Sequence, residues 1–154
     1  MEENLITWVK RLSERKDELG GLSVCPFAKK ALEDKKLFWS TIAYECEQYI
    51  LRYTESTSDF ELIIFYNLIG NLTDEDLLKL ISKLQSKRND LIFLKDHPDN
   101  PGFINGISTS NGKYPVILVQ PRKSLEEARE KLKKTKYYDY WSEEYKNEIL
   151  GYGK

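Results

Sequence analysis

From Leu5 to Leu19 the apolar residues Leu5, Trp8, Val9, Leu12 and Leu19 follow an approximate helical stripe, and Gly20-Gly21 supplies a stop, so the pattern predicts a first helix over 5–19. Cys25-Pro26 reads as the next helix start, because proline fits the first helical position, where its missing N–H costs nothing. "FAKKALEDKK" carries that helix to near Lys35. Residues 37–44, "LFWSTIAY", alternate as a strand, and "ECEQYILRYTE" after them leans to helix. "ELIIFYN", residues 61–67, is a continuous apolar run of strand length and predicts a buried strand. Thr73 with Asp76 marks a helix start with Leu72 and Leu77 as its staple, and Leu77, Leu80, Ile81 and Leu84 form the inward face. "LIFL" at 91–94 and "VILV" at 116–119, with Pro115 at its edge, are further strands. Ser124 and Glu127 predict a capping box for a last helix with Leu125, Ala128 and Leu132 inward.

This order predicts an α+β fold: a four-stranded, mainly antiparallel sheet with helices packed on one face, ferredoxin-like as the first topology. Residues 1–154 read as one domain, with 136–154 an aromatic-rich C-terminal tail. At 40% hydrophobic and 32% charged residues the chain falls in the globular range. A domain of this size buries roughly 68–70% of its unfolded surface, so it needs no disulfide or metal to fold. The 24 Lys and Arg against 25 Asp and Glu, mixed along the chain, argue against a nucleic-acid binder that relies on neutralising phosphates. No stretch is long and apolar enough to span a membrane and "MEENLITWVKRL" lacks a signal-peptide core, which makes the cytoplasm the expected compartment. Cys25 and Cys46 are then expected as free thiols.

Candidate chemistry falls in two places. Residues 95–115, "KDHPDNPGFINGISTSNGKYP", form a long polar loop between two strands and hold the only histidine, His97, flanked by Asp96 and Asp99. His97 is the one imidazole able to act as a base near neutral pH. The two aspartates could orient it or join it around a divalent ion, or the segment is simply a rigid Asx-Pro turn. The spacing matches no zinc pattern, and no motif specifies a cofactor. The second place is Cys25: at a helix start, unpaired N–H groups favour the thiolate, and Lys29 and Lys30 one turn on would add to this. Packing beside Phe27 would do the opposite, while Cys46 reads as core. In the tail, Tyr137, Tyr140 and Trp141 interleave with lysines as a base-stacking surface would, but neighbouring Asp139, Glu143 and Glu144 favour packing back onto the domain or a dimer contact.

"CPFAKKALEDKKLFWSTIAYE" resembles the opening of the glutaredoxin and glutathione-transferase thiol motif, with Ala28 where a dithiol version has its resolving cysteine, which implies monothiol chemistry. Over residues 8 to about 130 the chain resembles the bacterial domain-of-unknown-function family fourteen-fifteen, through "CPFAK", "HPD" and "YPVILVQP" in that order. Asn111 and Lys113 stand where that family has an asparagine-arginine pair. The resemblance implies a shared fold and site location, and no reaction.

The expectation is an enzyme acting on a small molecule through a polar site centred on Cys25 and His97. Cys25 would be nucleophile or ligand, His97 base or ligand and Asp99 its orienter, with Asp96, Asn105, Asn111, Lys113 and Tyr114 binding. The alternative is a binding or regulatory module that uses the 95–115 loop and the aromatic tail, and a monothiol redox protein is the third reading.

Overall fold

The computed structural model of the chain describes residues 2–153. Helix α1 spans Glu3–Ser13 and buries Leu5, Trp8, Val9 and Leu12, the expected stripe, but ends six residues before Leu19. Ser13 to Glu18 offer no apolar side chain to extend that stripe. The chain instead runs through β1 (Arg15–Lys16) and a 3-10 turn, Asp17–Leu19, closed by Gly20 in the left-handed region at φ 64°. Strand β2 (Leu22–Ser23) pairs antiparallel with β1 and leads into helix α2 (Pro26–Glu33), with Cys25 at its N-cap and Pro26 as its first residue.

Then come β3 (Leu37–Thr41), helix α3 (Glu47–Ser56), β4 (Leu62–Tyr66), helix α4 (Asp74–Lys87) and β5 (Leu91–Asp96). The helix over "ECEQYILRYTE" thus forms, burying Ile50, Leu51 and Thr54. At the start of α4 the capping box is complete: Asp76 N–H donates to Thr73 Oγ1 at 3.0 Å, and Thr73 N–H to Asp76 Oδ2 at 2.9 Å. The long loop folds on itself as a hairpin, β6 (Phe103–Ile104) with β7 (Ile107–Ser108), before β8 (Val116–Pro121). Helix α5 spans Arg122–Lys133, with Pro121 as its N-cap residue. The expected Ser124/Glu127 box is absent because β8 pairs as far as Pro121 opposite Leu91, and Arg122 N–H goes to Asp90 C=O at 2.9 Å. Ser124 Oγ donates back to Pro121 C=O. A second 3-10 turn, Tyr137–Tyr140, and helix α6 (Glu143–Gly151) form the tail.

The main sheet has the order β3-β4-β8-β5. Helices α3 and α4 each return the chain to the same end of the sheet, so β3, β4 and β5 run one way and β8 runs against its neighbours β4 and β5. The α+β class stands, but the sheet is mixed rather than mainly antiparallel. This order gives no support to a ferredoxin-like arrangement.

Helices also cover both faces, not one. Alternate residues divide β4: Ile63 and Phe65 join the core under α3 and α4, while Leu62, Ile64 and Tyr66 join the core under α1 and α2. That is why "ELIIFYN" reads as an unbroken apolar run, since a strand buried on both sides has no wet face to mark with polar residues.

Candidate functional site

On the α1/α2 face the sheet is not fully covered. A cavity of about 150 Å³ lies over Ile64, Leu94 and Leu118, between α1, α2, the 95–115 loop, α5 and the tail. Its body is apolar and aromatic, with Trp8, Phe27, Trp141 and Tyr145 in the wall. The loop is anchored there from two sides: Trp8 Nε1 donates to Thr109 C=O at 3.0 Å, and Tyr145 Oη to Thr109 Oγ1 at 3.1 Å. Tyr137, buried, donates through its hydroxyl to Val24 C=O at 2.7 Å, which fixes the tail beside Cys25. The aromatic rings of the tail lean on one another edge-on, with Trp141 and Tyr145 centroids 4.8 Å apart. The tail thus packs back onto the domain.

Cys25 is partly buried and lines the cavity. Desolvation raises its thiol pKa; the backbone N–H groups of Phe27 and Ala28 and the Arg129 guanidinium oppose that rise without cancelling it. The thiol therefore rests protonated. Cys25 is entered from the two-residue β2, outside the main sheet, so the likeness to the glutaredoxin motif stops at the cysteine and its helix.

Two polar residues that the sequence reading passed over complete the wall. Arg129, on α5, is 9% exposed, and among the described residues its guanidinium makes no hydrogen bond or ion pair; Nε is buried with no partner. Desolvation lowers its pKa, and Tyr138 is the largest influence in the other direction. An arginine does not deprotonate in a protein, so such a group carries a desolvation cost of several kcal/mol that a counter-ion offsets. Gln120, on β8, is 7% exposed and lines the same cavity. A signal for Arg129 was legible: it stands with Leu125, Ala128 and Leu132 on the inward stripe of α5, where a charge is out of place.

Of the residues singled out from sequence, Cys25 and Asp96 line the cavity. Asp96 is held as an acceptor by Asn111, from its N–H at 3.0 Å and its Nδ2 at 2.7 Å, and desolvation raises its pKa. Asn111 spends the rest of its side chain on the turn, donating to Tyr114 C=O and accepting from the N–H groups of Lys113 and Tyr114. Tyr114 is buried against the Tyr66 ring, and the Lys113 ammonium lies 5.1 Å from the Tyr114 ring centre. Asn105 sits at the hairpin turn with φ 47° and donates to Glu18 C=O at 2.9 Å.

His97 is buried and does not line the Cys25 cavity. Its Nδ1 accepts the Asp99 N–H at 3.0 Å, which places a ring proton on Nε2, 2.8 Å from Leu72 C=O. Both nitrogens are thus spent on backbone, and the residue ties the loop to the start of α4. Asp99 points outward, its side chain 88% exposed and 3.9 Å from Nδ1. No group of three His, Cys, Asp or Glu side chains among the described residues is placed to hold a metal ion. Comparison of the chain with protein-family models, curated proteins and solved structures found no match.

Proposed function

We propose that this protein takes up a small molecule in the cavity between α1, α2, the sheet and the tail. One observation carries the reading: the three segments that stood out in the sequence, the Cys25 segment, the 95–115 loop and the aromatic tail, meet around one partly enclosed apolar space. The site centres on Cys25, Arg129 and Gln120, with Asp96 at its edge. His97, Asp99, Asn105, Asn111, Lys113 and Tyr114 support the loop. The likeness to family fourteen-fifteen belongs to the same proposal, since its Cys-Pro-Phe-Ala segment supplies Cys25.

The test uses benzyl alcohol, an uncharged probe of suitable size. It is expected to shift the amide resonances of Gly102, Thr109 and Tyr145 saturably and, in a Cys46→Ser background, to slow iodoacetamide alkylation of Cys25. Ala28→Leu, which extends a buried wall residue into the space, should weaken both effects at least tenfold. Shifts confined to other surfaces, with alkylation unchanged, would sink the reading. An enzymatic reading has support of its own in the position of Cys25 on the wall at the start of α2, where a bound electrophile would lie against the thiol. Stoichiometric, saturable modification by a small electrophile, lost in Cys25→Ser, is its expected signature.

A further inference from the structure

The cavity's ligand class follows from its charges, on the premise that the cavity is a ligand site. We infer that it takes a small monocarboxylate with a compact, planar apolar body, the carboxylate paired with Arg129. A buried guanidinium with no partner among the described residues calls for an anion, and its planar fork matches a carboxylate through two parallel N–H···O bonds. Glu126 on its own helix acts on that charge from a distance, but no acidic side chain among the described residues pairs with it. On the outer side Arg129 borders an open groove in which Glu126 is taken by Arg122 at 3.2 Å and Glu130 by Lys133 at 2.6 Å. Lys95, which also lines the cavity, commits its ammonium to Asp74 at 2.6 Å. Arg129 is thus the one uncommitted cation on the wall among the described residues.

The same wall carries Asp96 and Glu148, which disfavour a second negative charge, so a single carboxylate suits the site better than a phosphate dianion. Gln120 offers a neutral amide able to donate to a carboxylate oxygen. The remaining wall is apolar and aromatic, and a volume near 150 Å³ is known to accept a benzene-sized body.

Intrinsic fluorescence tests this directly. Trp8 and Trp141 line the cavity and Trp39 is exposed on β3, so Trp39→Phe leaves the two reporters. The full chain is titrated with benzoate, benzamide and phenyl phosphate. The inference expects benzoate to bind at least tenfold tighter than benzamide and tighter than phenyl phosphate. In Arg129→Met the benzoate preference should fall to within twofold while benzamide binding is kept; Arg129→Lys, which keeps the charge without the fork, should lie between. Equal affinity for benzoate and benzamide in the parent overturns the carboxylate assignment and leaves the cavity reading intact. Tighter binding of phenyl phosphate overturns it in favour of a phosphate. No saturable signal from any of the three overturns the cavity reading itself. The parent titrations decide among these even if a variant fails to fold.

Discussion

Cys25 raises a question that two opposed local effects settle. The start of a helix lowers a thiol pKa, and enclosure by apolar side chains raises it; here desolvation outweighs the Phe27 and Ala28 N–H groups and the Arg129 charge. Because the folded state favours the neutral thiol, its contribution to stability is held at low pH and lost as pH rises through the raised pKa. In a Cys46→Ser background, iodoacetamide alkylation of Cys25 should keep accelerating beyond the ordinary thiol pKa of about 8.5. Arg129→Met, by removing a charge that favours the thiolate, should move the profile further up. A half-maximal rate below that ordinary value would contradict this account. At the same scale, the cysteine was visible in the sequence as a feature, but the sign of its shift was not, since Pro26 specifies the helix and says nothing about how dry the site is. The surroundings of His97 were hidden for a comparable reason: a lone histidine in a loop gives no hint that both nitrogens face backbone groups.

Among the elements, the helices divide by how local their signals are. The start of α4 is written entirely within Thr73 to Asp76, and the box forms as expected. Thr73→Ala should cost about 1 kcal/mol in urea unfolding with the denaturant slope unchanged. Ser124→Ala, at a position that reads as a cap but lies inside α5, should stay within about 0.5 kcal/mol of the parent. Equal losses at the two sites would contradict this difference between a capping Thr73 and a non-capping Ser124. The end of α1 departs from the periodicity because Leu19 is buried, as its spacing implies, but reaches the core through a 3-10 turn instead of a continued helix. Gly20 makes that turn possible, and Tyr140 Oη would lie 2.8 Å from a Cβ placed there.

Across the whole molecule the tail is part of the wall of the site. Gly102 in the loop lies so close to α6 that a Cβ would stand 2.5 Å from Tyr145 Cε1 and 2.8 Å from Thr109 Oγ1. Gly102→Ala should push the tail outward and speed amide exchange across Glu143–Gly151 by at least tenfold while exchange in β4 and β8 is unchanged. Unaltered exchange in α6 would mean that the tail does not depend on this contact. By itself the sequence determined the four strands of the main sheet, most of the helices and most of the inward apolar residues, because hydrophobic periodicity and capping act over a few residues along one chain. It also marked the three segments that build the cavity. Only the tertiary structure decided that the sheet is mixed and covered on both faces, that His97 does not line the Cys25 cavity, and that Arg129, its Nε without a partner among the described residues, and Gln120 line the same cavity as the thiol. Those depend on which distant segments meet, and the pairing and desolvation of a charge are settled by neighbours far away in sequence.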